Sequence, residues 1–469
     1  LLPSEQQVWS EYAQLNAGAI AIAQGLQALR QIDRPLTPEE TNQKQQLDQQ
    51  QRQLVRQFRE FSTRDDIVSY TEALTRTARE QSLSLPRLQD LSQNLRDLEE
   101  PAVLLYPLIL EDRIELVLVA PGVPPIHTPV NVDRITLNQA IQTYRDALTS
   151  PAKNPLPAAQ QLYDWLIRPV ESHLTQAQAQ TILYAPDGPL RYVPLAALHD
   201  GDTWLIEHFR INNITAASLD DLNRKPATER RILAGAFSDP STRYEVSGGG
   251  VPGREKTFGF NGLPYAGVEV EALQALQPDS TVHLNPDFSR ERILPNMDDY
   301  PIVHLATHAA FLPGSPLDSF VLFGNGETIT LQEVQDEWFF GNLDLIVLSA
   351  CQTGLSSLGE SGEEILGFGY LMQNAGVNAA MASLWTVDDG GTQTLMDAFY
   401  TGLLKNDLTK AEALRQAQLA LIGSSAGSLM SSRGGLARIT QENETDSQRW
   451  NRLSHPYYWS PFILIGNGL

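Results

Sequence analysis

The pattern of polar and hydrophobic positions divides the chain near residue 101. Before that point the sequence is polar and predicts helices, with hydrophobic residues at spacings typical of one helix face. These residues are Leu47, Leu54, Phe58 and Phe61. At residues 37–40 a Thr cap, a Pro and a Glu form a capping box that indicates a helix start. We expect residues 1–100 to form a helical hairpin on the main domain rather than a dimerising coiled coil, because clean heptads are too few.

From residue 101 onward, short apolar runs replace the polar helical pattern. Runs at 102–110 and 114–119 flank a charged turn and predict a β-hairpin. A helix, a Pro-rich linker and a strand with a tight turn are predicted next, at 137–148, 150–157 and 181–190. We expect residues 101–225 to form an α/β subdomain beside the main one.

Residues 226–469 alternate strands with single helices. The predicted strands are 232–237, 281–284, 302–308, 345–348, 379–385 and 462–465. The predicted helices are 268–276, 289–294, 330–338, 365–374 and one capped by Thr409. Single helices between strands require a parallel sheet with right-handed crossovers. The expected fold class is therefore α/β, a mostly parallel sheet flanked by helices. The Gly- and Ser-rich segments 245–262 and 423–436 are expected to be mobile loops.

The chain has one cysteine, Cys351, and it follows the apolar strand 345–348 beside a glycine turn. Strand 302–308 ends in His308. Because chemistry collects at the carboxyl ends of strands in an open parallel sheet, the two strand ends place a base beside a nucleophile and predict a cysteine protease. The alternative is that Cys351 is a small buried hydrophobic residue and His308 a hydrogen-bonded core residue. His304, on the same strand, is expected to be structural.

Bulk properties exclude several other classes of function. A formal charge of −22 opposes nucleic-acid binding. No segment reaches the ~18 apolar residues of a membrane span, and no secretion signal is present, so we expect no membrane contact and a cytoplasmic location. One cysteine excludes a cysteine-rich zinc site, and neither a P-loop string nor HExxH occurs, so no metal or cofactor is predicted. The first residue, Leu1, suggests a fragment or a processed form.

Several motifs resemble those of CHAT-domain proteins, a branch of the caspase and separase clan of cysteine peptidases. They are His304–His308, Leu348–Gly354, Ala382–Asp389, His455–Phe462 and Ala185–Leu198. The resemblance runs from about residue 101 to the end and is closest to the cyanobacterial type with tetratricopeptide repeats. It implies a caspase-like catalytic part at 226–469, with His308 as base and Cys351 as nucleophile. It also implies an oxyanion hole formed by the backbone N–H groups of Cys351 and Ala309, although such sites usually have Gly after the His.

The resemblance also implies a substrate and a mode of regulation. Asp388 and Asp389 resemble the place where separases carry an acidic pocket residue, and Asp239 is a second candidate by comparison with metacaspases. We therefore expect cleavage of peptides or proteins after Arg or Lys. The alternative is that these acids cap helices. A protein partner that acts through the N-terminal helices is expected to regulate the enzyme; a catalytically silent interaction scaffold is the competing function.

Overall fold

The structure, a computed structural model, describes most of the chain from residue 101 onward and parts of the N-terminal region. The described residues are 29, 37–62, 95, 98, 101–121, 125–215, 227, 229–248, 256–311, 319–349, 352–353, 363–385, 387, 389–423 and 452–469. The chain divides into two compact units. One comprises residues 1–87 and 332–341, and the other comprises residues 88–331 and 342–469.

The strands of the described part are short, and most are apolar. In chain order they are β1 (Ala102–Ile109), β2 (Ile114–Val119), β3 (Ile126–Val130), β4 (Thr181–Tyr184), β5 (Arg210–Asn213), β6 (Ile232–Ala236), β7 (Arg243–Gly248), β8 (Lys256–Asn261), β9 (Thr281–Leu284), β10 (Ile302–Ala306), β11 (Ala309–Phe311), β12 (Phe320–Leu322), β13 (Thr328–Thr330), β14 (Leu345–Leu348), β15 (Gln352–Thr353), β16 (Ala379–Ser383) and β17 (Phe462–Gly466).

The α-helices lie mainly between these strands. In chain order they are α1 (Pro38–Ser62), α2 (Arg134–Leu148), α3 (Leu156–Leu166), α4 (Glu171–Gln176), α5 (Leu205–His208), α6 (Pro264–Leu276), α7 (Arg290–Ile293), α8 (Leu331–Glu337), α9 (Glu363–Asn374), α10 (Asp389–Lys405), α11 (Lys410–Ile422) and α12 (Pro456–Trp459). Within the described ranges, none of these helices is long and apolar enough to cross a lipid bilayer.

Eleven strands of the described part form one sheet, in the order β3-β2-β1-β4-β5-β17-β16-β14-β10-β6-β9. Strands β16, β14, β10, β6 and β9 are parallel to one another, and so are β1, β4 and β5. The predicted α/β class with a mostly parallel sheet is therefore confirmed. Strand β17 lies between these two groups: it pairs with β16 in antiparallel and with β5 in parallel. Both groups of strands therefore belong to one sheet.

The central strands are buried because helices cover both faces of a parallel sheet. Every residue of β10 and β14 is at most 2% exposed. Local signals fix the ends of the covering helices. The Thr409 hydroxyl accepts from the Glu412 N–H at the start of α11, and Gly376, with φ of 98°, follows the last turn of α9. The predicted capping box of α1 is also present, with the Thr37 N–H donating to Glu40 at 2.7 Å.

One expectation about loops was wrong. Much of the segment 245–262 forms strands β7 and β8, which pair as an antiparallel hairpin. The predicted linker 150–157 overlaps α3 only at its last two residues, Leu156 and Pro157. The other predicted loop lies outside the described residues beyond Gly423, and so do the side chains of Leu54, Phe58 and Phe61. The domain boundaries at 100 and 225 remain predictions.

Candidate active site

His308 lies at the carboxyl end of the sheet, between β10 and β11. Its side chain is buried, with 7% of the residue exposed. The ring atom Nε2 lies 2.7 Å from the backbone carbonyl oxygen of Asn261, the last residue of β8. Because a carbonyl oxygen can only accept, Nε2 carries the hydrogen of this bond. In the neutral ring the lone pair is therefore on Nδ1, which is the form required of a general base.

The surroundings of His308 favour its neutral form. Burial lowers the pKa of His308 below its usual value, and the hydrogen bond to Asn261 partly opposes that shift. The Phe260 ring lies against the imidazole with 4.9 Å between ring centroids, and the Phe237 ring lies 6.2 Å away. At neutral pH His308 is thus unprotonated and able to accept a proton.

Cys351 lies outside the described residues, but the residues on both sides of it are described. Before it, β14 pairs with β10 in parallel, with Leu348 opposite Leu305, and the Ser349 N–H donates to the Leu305 oxygen at 3.1 Å. After it, β15 pairs with β11 in parallel, with Gln352 opposite Ala310. The predicted adjacency of the two strands is confirmed. The segments that flank Cys351 therefore run beside the segments that flank His308.

The register of β11 sets the direction of the Ala309 N–H. The Leu322 N–H donates to the His308 oxygen at 2.9 Å, so Ala309 and Val321 form a non-hydrogen-bonded pair of the antiparallel β11–β12 ladder. In such a pair each residue turns its own N–H and C=O away from the partner strand. The Ala309 N–H therefore points to the side of β11 that faces β15.

Asp239 follows β6, two residues after Phe237. One carboxylate oxygen accepts from the Ser241 N–H and hydroxyl, at 2.9 and 2.6 Å, and the other from the Thr242 hydroxyl at 2.7 Å. These hydrogen bonds lower the pKa of Asp239, so the carboxylate is ionised at neutral pH. Asp388 and the side chain of Asp389 lie outside the described residues, whereas the Asp389 backbone begins α10.

His304 occupies a different environment from His308. It is fully buried, its Nε2 lies 2.6 Å from Glu269 Oε1, and its Nδ1 lies 2.9 Å from the Tyr400 hydroxyl. The first contact is not a well-aligned hydrogen bond, since neither atom has a hydrogen bond of normal geometry. These partners belong to α6 and α10, in the core, as expected of a structural histidine. Across the described ranges, no group of acidic, His or Cys side chains is arranged to hold a metal ion.

Sequence reasoning missed Asn261 and Phe260. A backbone carbonyl is present in every residue, so no residue type could have identified Asn261. Phe260 did carry a signal, because Phe258 and Phe260 alternate with Gly259 as expected of a strand with one aromatic face.

One known protein family matches the part of the chain that contains the whole site. A family model described as the CHAT domain matches residues 156–467. None of the proteins with curated functions matches the chain.

Two solved structures are similar in outline. The Arg-specific cysteine proteinase gingipain R aligns with 71% of this chain and 74% of its own, at 11% identity and a TM-score of 0.38. The Saccharomyces cerevisiae separase, in its complex with securin, aligns with 90% of this chain and 33% of its own, at 9% identity and a TM-score of 0.46.

Proposed function

The chain belongs to the CHAT-domain family, with the caspase-like α/β fold, and from this premise we propose that it is a cysteine endopeptidase. We assign His308 as the base and Cys351 as the nucleophile. One observation carries the proposal: the backbone is paired in parallel on both sides of these residues, at Leu305–Leu348 and at Ala310–Gln352. Only three residues separate Leu348 from Gln352, which supports a short separation between thiol and imidazole.

The first chemical step is activation of the thiol. A cysteine with a pKa near ~8.5 is mostly protonated at neutral pH, so attack requires a base. In our proposal the Cys351 proton passes to Nδ1 of His308, while the Nε2–H remains bonded to Asn261 at 2.7 Å. The sulfur electron pair forms a bond to the peptide carbonyl carbon, and the carbonyl π electrons move to the oxygen.

The negative oxygen needs hydrogen-bond donors fixed in advance. We propose that the N–H groups of Ala309 and Cys351 supply them; the direction of the Ala309 N–H, toward the β15 side, supports this assignment. Loss of one such donor typically costs about 3–4 kcal/mol of transition-state stabilisation. Alanine at this position is compatible with the role, because the donor belongs to the backbone and β11 holds it in an extended conformation.

The remaining steps return the site to its starting state. The C–N bond breaks as His308 Nδ1 gives its proton to the leaving amine, which leaves a thioester on Cys351. A water molecule then attacks the thioester and its proton passes to Nδ1. That proton returns to the sulfur as the acid product leaves, so no other reactant is required.

We propose cleavage after Arg or Lys, with Asp239, Asp388 and Asp389 as candidates for the acidic pocket. Asp239 is half-buried and ionised, and it follows a sheet strand adjacent to β10. A guanidinium or ammonium group would form charge-assisted bonds with such a carboxylate. The competing role is local, since Asp239 already accepts hydrogen bonds from Ser241 and Thr242.

The test is hydrolysis of matched peptides with Arg, Lys or Asp before the cut, measured on the full chain, alone and with candidate protein partners. We expect Arg and Lys peptides to be cut and the Asp peptide to remain intact. Cys351→Ala and His308→Gln should abolish hydrolysis, whereas the exposed control His127→Gln should retain it. Full activity of Cys351→Ala would contradict the protease and favour an interaction scaffold. Equal cleavage after Asp would contradict the acidic pocket alone.

We also propose that a protein partner regulates the enzyme through the N-terminal helices. The supporting observation is that α1 is rich in glutamine and that its described side chains are exposed or half-buried, which suits a docking surface. Deletion of residues 1–62 should abolish the response to a partner in the peptide assay. An unchanged response would contradict this role.

A further inference from the structure

The β7–β8 hairpin contacts His308 in two ways through two consecutive residues. The Asn261 carbonyl oxygen holds Nε2 at 2.7 Å, and the Phe260 ring packs on the imidazole with 4.9 Å between centroids and 35° between planes. The first contact fixes the rotation of the ring about its side-chain bonds. The second restricts its movement out of the plane.

Phe260 is itself held firmly. It is 1% exposed and belongs to an apolar cluster with Phe237, Phe320 and Leu322. The Phe320 ring meets it edge-on at 6.1 Å. Because Phe320 and Leu322 belong to β12, which pairs with β11, the cluster connects the hairpin to the strand that begins directly after His308.

A second anchor fixes the hairpin on its other strand. Tyr244 pairs with Phe260 across the hairpin, and its hydroxyl donates to the Gly324 oxygen at 3.2 Å. The Tyr244 ring also packs closely on Gly326, since a Cβ added at Gly326 would lie only 2.7 Å from the ring. The hairpin is thus attached to the turn between β12 and β13.

We propose that Phe260 is a positioning residue for the base: it holds the His308 ring in the orientation in which Asn261 takes the Nε2–H and Nδ1 remains available to the substrate side. The inference rests on the proposed function only for its catalytic consequence. The orientation of the ring is a property of the folded chain.

The electrostatics of His308 agree with this role. Burial is the cause of its lowered pKa, and the hydrogen bond to Asn261 partly opposes that lowering. The Phe260 ring forms part of the wall that excludes water from the imidazole. Removal of that ring should therefore raise the pKa of His308 toward the ordinary value of about 6.5.

The experiment reads the histidine ring directly, by nitrogen-15 NMR of protein labelled at its histidines. The chain has 8 histidines, and the His308 signal is assigned by its loss in His308→Gln. In the wild type we expect the Nε2–H tautomer. In Phe260→Ala we expect a mixture of tautomers and a titration at higher pH. Phe260→Leu keeps apolar bulk and should lie between the two.

Phe258→Ala is the matched control. Phe258 lies two residues earlier on the same strand and packs on Phe260 and Phe320, but its ring makes no contact with His308 among the described residues. The Phe258→Ala substitution should leave the tautomer and the pKa of His308 unchanged. If Phe260→Ala also leaves both unchanged, the inference is overturned. If Phe260→Ala does not fold, Phe260→Leu gives the same comparison.

Kinetics separate this inference from the proposed function. With an Arg peptide, Phe260→Ala should lower kcat roughly 10–100-fold with little change in KM, and the acid limb of kcat/KM should move to higher pH. If neither wild type nor variant cleaves peptides while the NMR changes occur as expected, the proposed function fails and the positioning role remains. Unchanged kcat and an unchanged acid limb in an active enzyme would overturn the positioning role.

Discussion

Gly262 lies directly after the carbonyl that holds His308, and a methyl group at this position should disturb the site. A Cβ on Gly262 would lie 2.2 Å from the Asp239 oxygen, 2.5 Å from its carbonyl carbon and 2.6 Å from its nitrogen. These are backbone atoms, so no side-chain rotation can relieve the contact. The Asp239 backbone is also fixed, because the Asn285 side-chain oxygen accepts from the N–H groups of Ser238 and Asp239, each at 2.8 Å.

The size of the effect follows from these distances. To reach an ordinary contact of about 3.4 Å, the Gly262 segment must move by about 1 Å. The Asn261 carbonyl is bonded to the Gly262 nitrogen and moves with it. A displacement of ~1 Å would lengthen the bond of 2.7 Å to His308 beyond hydrogen-bonding range. Misplacement on this scale costs roughly 10²-fold in rate, and an unsatisfied buried group costs about 1–3 kcal/mol of stability.

The assay is the rate at which an Arg-peptide electrophile modifies Cys351, with thermal unfolding as the check on stability. We expect Gly262→Ala to react roughly 10²-fold more slowly than the wild type. The control is Gly402→Ala in α10, whose Cβ would approach Ala413 and Leu408 no closer than 3.3 Å. A wild-type labelling rate in Gly262→Ala would refute the link between this close approach and the base.

Two further predictions concern the buried ionisable groups of the core. Glu269→Ala removes the partner of His304 from a pair that is 2% and 0% exposed, so the free energy of unfolding in urea should fall by about 3 kcal/mol. In the control Glu271→Ala, on the exposed side of α6, it should change by no more than ~0.5 kcal/mol. An equal effect of both substitutions would contradict a paired His304. Burial and the charge of Glu269 raise the pKa of Asp397 to about 7. Because the folded chain then keeps a proton that the unfolded chain releases near pH ~4, stability should fall as pH rises from ~4 to about 7 and then level off. The Asp397→Asn variant should lack this fall. The difference between its melting temperature and that of the wild type should therefore increase in its favour from pH 5 to pH 8; a difference that does not change with pH would contradict the raised pKa.

Much of the fold could be predicted from the sequence because its central strands are continuous apolar runs. β10 and β14 are bounded by polar residues and turn signals, and the alternation of strand and helix fixes their parallel direction. The signals for helix ends at Thr409 and Gly376 are local, so they too could be identified without the structure.

The hairpin and the partners of the two histidines could not be predicted in the same way. Gly248–Gly250 and Gly253 supply no side chains to show a strand period, and the alternation of Phe258 and Phe260 is too short to stand out in a Gly-rich segment. Which face a histidine occupies depends on the register of distant segments. His304 meets α6 and α10, whereas His308 meets a backbone carbonyl at the end of β8.

The pairing of Cys351 with His308 is tested most directly by the intact mass of the full chain after incubation with an Arg-peptide electrophile. We expect one adduct, located by peptide mapping at Cys351, with formation abolished by Cys351→Ala and strongly slowed by His308→Gln. The pH dependence of the labelling rate should follow the titration of His308. Labelling of Cys351 at the same rate in His308→Gln as in the wild type would contradict the role of His308 as its base.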